Sequence, residues 1–252
     1  MKFTTQGLII KSTNIGENDR VVVVLTRDRG ILSAFVSGAR SIKSKNSAAT
    51  ALLSYSSLTI TQTKDTYRIT ESEVIEAFFD LSEDIVRLAL AQYICELCLA
   101  TVPEGVEGDD FLRLALNSLH FIAKDKMDLY SVKALTELRL MSIAGFMPDL
   151  VGCRECGTDR DFPMFLDLNG GDMLCNTCKA NSGNGGQFAE LDKTTFAAMR
   201  HIVYSDFSKL YSFTLPPENA RYLSFVTERF LIAQTERKYK TLDFFHSLET
   251  SF

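Results

Sequence analysis

Cys153-Arg-Glu-Cys156 and Cys175-Asn-Thr-Cys178 decide how the second half of this 252-residue chain is read. Each pair can close on one ion as a chelate, and the eighteen residues between the pairs can return the second to the same point. That is the spacing of a four-thiolate zinc site made by Cys153, Cys156, Cys175 and Cys178. Gly157 behind the first pair and Gly170-Gly171 ahead of the second permit tight turns that aim amide N–H groups at sulfur. Asn169–Gly171 also predicts a hairpin turn between Met164–Leu168 and Asp172–Leu174. The competing reading, four unrelated buried thiols, fits poorly with two such pairs in 26 residues. Zinc is the default metal; iron in a rubredoxin-like site fits the same ligands, although nothing in the sequence points to electron transfer. A closed four-sulfur site leaves no position for water or substrate, so it predicts a structural element, and any activity has to come from elsewhere in the chain.

A third Cys-x-x-Cys, Cys95 and Cys98, lies inside an apolar helical pattern. A redox dithiol belongs at a strand-to-helix junction, where the helix N-terminus lowers a thiol pKa. Mid-helix, this pair predicts core packing.

Composition narrows the class. A 46% hydrophobic content can build a sizeable core, and no run reaches the roughly 20 apolar residues of a membrane span. The first residues run straight into a strand pattern with no signal-peptide core, and four of six cysteines sit in a metal pattern. The expectation is a cytoplasmic protein. Its net charge of −5 hides an asymmetry. Residues 1–68 carry ten Lys/Arg against four Asp/Glu, whereas the remainder carries 17 against 28. A polyanion would therefore meet the N-terminal portion first.

That portion reads as short strands: Gly7–Lys11, Arg20–Thr26, Ile31–Val36, Leu58–Gln62 and Thr66–Thr70, with Arg27–Gly30 a turn. Five strand candidates in under 80 residues predict a small barrel; strand count alone fits an OB-type or an SH3-like one. The segment Gly38-Ala-Arg-Ser-Ile-Lys-Ser-Lys-Asn-Ser47 is small, basic and free of acids. It suits phosphate contact through Arg40, Lys43 and Lys45, and equally suits a loop kept soluble by charge. From Asp80 the period becomes helical, with Ser82 a candidate N-cap. Helices are predicted near residues 85–100, over Asp109–Ala123, Leu129–Phe146, Asp192–Tyr204 and Pro217–Glu236. The architecture expected is α+β, with a barrel over residues 1–79 and an all-α domain over 80–252 that carries a four-cysteine zinc knuckle at about 149–187.

Catalytic patterns are missing. His120, His201 and His246 fall in separate segments, and there is no phosphate-binding loop, no Gly-x-Ser-x-Gly and no His-Glu-x-x-His. This moves the expectation from an enzyme to a binding protein.

The order of basic barrel, helical body and four-cysteine knuckle resembles the bacterial RecO family of recombination mediators. The resemblance covers nearly the whole chain. Its most specific blocks are Gly16-Glu-Asn-Asp-Arg20 with Thr26 and Gly30, then Gly38-Ala-Arg40 with Lys43 and Lys45, and Glu73-Val-Ile-Glu-Ala-Phe78. Glu137–Pro148 leading into Cys153 and Lys240-Thr-Leu complete the set. Ser41 stands where the family commonly has a further basic residue. The resemblance implies an OB-fold barrel and a non-enzymatic protein in DNA repair that binds single- and double-stranded DNA and anneals complementary strands. It also implies RecR as partner, help for RecA in loading onto DNA coated by single-strand-binding protein, and a cytoplasmic, nucleoid-associated location. No membrane and no small-molecule substrate are expected. Phosphate contacts are assigned to Arg20, Arg27, Arg29, Arg40, Lys43 and Lys45; Phe35 and Tyr67 are left without a role. The acidic, apolar tail of single-strand-binding protein needs a basic rim around an apolar groove, for which Arg139 is the candidate. The competing readings are a zinc-stabilised adaptor that never touches DNA and a nuclease whose carboxylates form no recognisable pattern.

Overall fold

The computed structural model describes residues 1–41, 44, 46–64, 66–182 and 185–249. Among these residues the chain is a mixed α+β protein, strands first and helices after. Five strands, β1 (Lys2–Ile15), β2 (Asp19–Thr26), β3 (Gly30–Val36), β4 (Ser54–Thr63) and β5 (Thr66–Ala77), close into a barrel in the order β1-β2-β3-β5-β4. All pairings are antiparallel except β3 with β5, which is parallel and brief: Ala34 meets Tyr67 and Phe35 meets Arg68. A short helical turn, α1 (Asn46–Ala49), lies between β3 and β4.

Alternation along the strands fills the barrel. Ile9, Val22, Val24, Leu32, Ala34, Val36, Leu58, Ile60 and Ile69 form its core, and Phe3 and Tyr67 pack against it from the margin. β1 and β5 are much longer than the alternation alone predicts. Each carries polar, exposed residues that a periodicity reading trims away, and each is held by backbone pairing to neighbours on the sheet. The β2–β3 turn requires glycine: Gly30 sits at φ +59, and a Cβ there would lie 2.2 Å from the Pro103 carbonyl oxygen.

The chain condenses into two compact units. The first, Met1–Asp125 with Tyr239–Phe252, holds the barrel, α2 (Ile85–Thr101), α3 (Asp109–Ala123) and α8 (Lys240–Glu249). The last barrel strand ends at Ala77 and the helices follow, while compactness groups α2 and α3 with the barrel. The predicted N-cap Ser82 is corrected: residues Phe79–Glu83 form a 3-10 turn, and Asp84 caps α2 by accepting from the N–H groups of Val86 and Arg87. A carboxylate there also faces the positive end of the helix dipole. α8, which no periodicity argument found, packs on α2. The Glu96 carboxylate accepts hydrogen bonds from the Lys240 and Thr241 N–H groups and from the Thr241 hydroxyl.

The second unit, Lys126–Lys238, packs α4 (Leu129–Ile143), α6 (Lys193–Tyr204) and α7 (Pro217–Thr235) together. A three-stranded sheet, β7-β6-β8, joins them, built from β6 (Met164–Asp167), β7 (Met173–Leu174) and β8 (Phe188–Leu191). Three helix starts obey simple capping: Asp128 and Asp192 accept from the third N–H of α4 and α6, and Pro217 opens α7. Inside this unit lies a charged network. The Lys133 Nζ sits 2.8 Å from Glu137 Oε1 and 2.7 Å from Glu228 Oε2, and Thr227 donates its hydroxyl to the other Glu137 oxygen at 2.7 Å. Burial pulls the ammonium toward neutrality, but the two carboxylates more than offset it and hold the Lys133 pKa above the usual lysine value. No described helix is long and apolar enough to cross a membrane.

Candidate nucleic-acid interface and metal centre

The candidate metal centre brings the Cys153–Cys156 loop, bridged to β7 at Met173, together with the short helix α5 (Asn176–Asn181), of which Cys175 is the N-cap. The Sγ atoms of Cys153, Cys156, Cys175 and Cys178 all lie within 4.8 Å of one another. The Cys156 and Cys175 sulfurs are 3.7 Å apart. A tetrahedral zinc with bonds of about 2.3 Å asks for sulfurs about 3.8 Å apart. Backbone N–H groups already point inward. Burial alone would push the Cys153 thiol up, yet the N–H groups of Cys175, Cys156 and Glu155 bring it down to about 6. Cys178 moves the other way, chiefly through hydrogen bonds with the Cys175 and Cys156 thiols, and burial raises Cys175. Sulfurs this close resist common ionisation, a conflict that a divalent cation removes. The donor set therefore fits a four-coordinate metal.

The turns around the site behave as glycine demands. Gly157 takes φ +75 and donates its N–H to the Cys153 carbonyl at 2.8 Å. Asp161 ties the second knuckle down: its carboxylate accepts the Thr177 N–H at 2.8 Å, and its carbonyl accepts the Asn176 N–H at 3.2 Å. Sequence reading missed Asp161, because only the fold brings it beside the start of α5. Cys95 and Cys98 are both buried in α2 and far from this chemistry in kind. Burial, with the charge of Cys98, raises the Cys95 thiol, and burial pushes Cys98 up to about 12.

The four described basic residues assigned to the barrel, Arg20, Arg27, Arg29 and Arg40, do not form one stripe. Strand β2 separates them, since Arg20 pairs with Val36 at one end and Thr26 with Gly30 at the other. Seven residues of strand put these ends roughly 20 Å apart. At the first end, Arg20 donates to the Ser47 carbonyl at 3.1 Å and the Thr50 hydroxyl at 3.2 Å, and its buried Nε has no partner. Burial and the nearby Arg40 guanidinium both lower the Arg20 pKa. Arg40 is exposed and bonds the Gly16 carbonyl at 2.8 Å, while its own N–H donates to the Asn18 carbonyl at 3.0 Å. Lys43 and Lys45 lie outside the described residues. At the far end, Arg27 pairs with Asp109 at 2.9 Å, and Arg29 lies over the Phe3 ring, 4.0 Å from its centroid.

Between these ends lies a face that sequence reasoning left unassigned. Thr13 is registered with Val21, Lys11 with Val23, Val21 with Phe35, and Phe35 with Arg68. Registered partners share a sheet face, so these residues form one outward band across β1, β2, β3 and β5. The Arg68 guanidinium stands over the Phe35 ring, 4.9 Å from its centroid. Phe35 and Tyr67 thus differ in kind: Tyr67 turns inward against the core and Phe35 turns outward. The signal was present in the strand, where Leu32, Ala34 and Val36 alternate with Ser33 and Phe35.

Arg139 is not a freely presented cation. Its guanidinium donates to the carbonyls of Ile202 and Val203, at 3.2 and 2.6 Å, at the end of α6, and stacks on Phe207. A basic-rimmed apolar groove does occur in the same unit. Phe162, Phe196 and Ala197 floor it, and Arg160, Lys193 and Arg200 surround it, with Asp159 paired to Arg200 at 3.0 Å.

Comparison with known proteins covers nearly all of this chain. Residues 1–78 match the family described as Recombination protein O N terminal, and residues 82–243 match Recombination protein O C terminal. The DNA repair protein RecO of Acetivibrio thermocellus is 31% identical over 245 residues, covering 97% of this chain and 96% of the relative. Its counterpart from Symbiobacterium thermophilum is 29% identical over 253 residues, covering 99% and 98%. That of Heliobacterium modesticaldum is 30% identical over 240 residues, covering 93% and 85%.

Proposed function

The chain belongs to the recombination protein O family, and on that premise we propose that it is a DNA-binding mediator of recombination in DNA repair. It anneals complementary single strands and, with RecR, promotes RecA loading onto single-stranded DNA coated by single-strand-binding protein. No covalent step is involved. We read the barrel as of the OB type, a reading supported by five strands in the order β1-β2-β3-β5-β4 and a helical turn between β3 and β4.

One observation carries this reading. The outward band with Phe35 under Arg68 lies between two arginine-bearing barrel ends. Aromatic and guanidinium planes take bases by stacking whatever the sequence, and cations at both ends follow the phosphates. Such contacts neither recognise sequence nor survive high salt. Arg27, Arg29, Arg40, Lys43 and Lys45 remain the proposed phosphate ligands, whereas Arg20 contributes mainly by holding the segment that bears Arg40. Double-stranded DNA would use the same cations without the stacking.

The metal is structural zinc held by Cys153, Cys156, Cys175 and Cys178, and its chemistry is to cross-link the knuckle to the fold. The tail of single-strand-binding protein is placed on the second unit. Arg160, Lys193 and Arg200 suit its carboxylates, Phe162 and Phe196 suit its apolar end, and Arg139 keeps a role through its grip on α6. A nucleoid-associated, cytoplasmic location follows from the same reading.

The decisive experiment is annealing of complementary strands coated with single-strand-binding protein, alongside strand binding at two salt concentrations. Annealing by the protein, and binding that weakens as salt rises, support the mediator. Salt-independent or absent binding favours a zinc-stabilised adaptor, and cleavage on adding magnesium would make it a nuclease.

A further inference from the structure

The block Glu73-Val-Ile-Glu-Ala-Phe78 has no part in the DNA-binding reading, and its place in the barrel gives it another use. Among the described residues, β3 leaves β5 after Phe35 and Arg68, yet β5 continues to Ala77 with β4 on one side only. α1 packs against β5, where the Ser72 hydroxyl donates to the Asn46 side-chain oxygen at 2.8 Å. Along Glu73–Ala77 no strand pairs with the second edge among the described residues, and Glu73–Glu76 are exposed, so the backbone N–H and C=O groups on that side can pair with a partner.

The side chains define that partner. Val74, Ile75 and Phe79 are 38, 47 and 50% exposed, an apolar run at the surface. Glu71, Glu73 and Glu76 are exposed on the same strand, and the facing stretch of β4, Ser54–Leu58, carries no charge. Only Glu71 has an ion pair among the described residues, a 3.5 Å contact with Lys2 between two well-exposed side chains. A bulge between the Ser56–Val74 and Tyr55–Glu76 pairs leaves Ile75 unmatched, which interrupts the regular template that any strand could join. Carboxylates repel nucleic acid and acidic segments, so this edge selects rather than aggregates.

We propose that Glu73–Ala77 is a docking edge for a partner protein, taking an extended segment in which basic and apolar residues alternate and adding it to the barrel as a further strand. Backbone pairing supplies the adhesion; Glu73 and Glu76 choose the partner by charge. The site is distinct from the stacking face on β3, so it stands whether or not that face binds DNA.

The test uses the full chain and a fluorescein-labelled peptide alternating Lys and Val, read by anisotropy. Two companion peptides serve as comparisons, one alternating Glu and Val and one with the Lys–Val sequence N-methylated at alternate amides. The Lys–Val peptide is expected to bind and to slow amide hydrogen exchange within Glu73–Ala77, and neither companion should bind. Charge reversal by Glu73→Lys with Glu76→Lys should weaken binding by about tenfold or more. Should that double variant fold poorly, Glu73→Gln with Glu76→Gln is expected to weaken binding in the same direction. No binding by the Lys–Val peptide, equal binding by either companion, or indifference to the Glu73 and Glu76 changes overturns the proposal.

Discussion

The Arg68 guanidinium lies over the outward face of Phe35, 4.9 Å from the ring centroid, where the parallel pairing of β3 and β5 sets the two residues side by side. Base stacking at such a platform is worth about 1–3 kcal/mol per base. Phe35→Ala is therefore expected to weaken single-strand binding by that order, with thermal stability little changed because Phe35 lies outside the barrel core. Arg68→Ala should weaken binding and also flatten its salt dependence. Anisotropy titrations of both variants at two salt concentrations check this, and unchanged affinity in both removes the platform from the interface.

Arg20 and Arg40 should separate stability from binding. Arg20 bonds Ser47 and Thr50, so Arg20→Ala removes two hydrogen bonds and is expected to cost about 1–2 kcal/mol of stability. Changing Arg40, Lys43 and Lys45 together to Ala should leave the melting temperature nearly intact and abolish most annealing. A triple variant that anneals normally would put the phosphate path elsewhere.

For the candidate metal centre, Cys175→Ser removes a buried proposed ligand that also caps α5. Metal content by mass spectrometry should fall, and the thermal midpoint should drop, while strand binding by the barrel is retained. A variant that stays folded with full metal content would contradict the staple reading. A chelator should act in the same direction and more strongly at lower pH, because protons compete for the thiolates.

Lys133 is fully buried between Glu137 and Glu228. Lys133→Met would leave two carboxylates uncompensated, and breaking such a buried pair costs about 3–5 kcal/mol. Urea unfolding should show this; a loss below about 1 kcal/mol would mean that the network is not stabilised by its ion pairs.

Cys95 and Cys98 are expected to resist alkylation. Burial disfavours the thiolate and raises both pKa values, to about 12 for Cys98, so both thiols stay neutral as pH rises through the range used for labelling. Iodoacetamide should modify them only after unfolding, whereas Cys156, which is exposed, should react in metal-depleted protein. Labelling of Cys95 or Cys98 in the native state would show that α2 opens.

Much of the fold was legible because its signals are local. Gly30 announced a left-handed turn, Asp109–Ala123 announced a helix by its period, and Asn169–Gly171 announced the hairpin that became β6 and β7. The misses share one cause. α8 and the outer halves of β1 and β5 are held by partners distant in sequence, such as Glu96 for Thr241. Ser82 and Asp84 are both acceptable caps in isolation, and only the 3-10 turn before α2 decided between them.

The sequence by itself determined the four-cysteine cluster that could hold a metal and the basic character of the barrel, since residue type, spacing and charge are properties of the chain before it folds. It could not determine what those cations face. The tertiary structure decided that Arg20 holds α1, that Arg139 grips the end of α6, and that Phe35 rather than Tyr67 looks outward beneath Arg68. Charge is carried by each residue alone, but orientation is set by strand register and by closure of the barrel, which exist only once distant segments have paired.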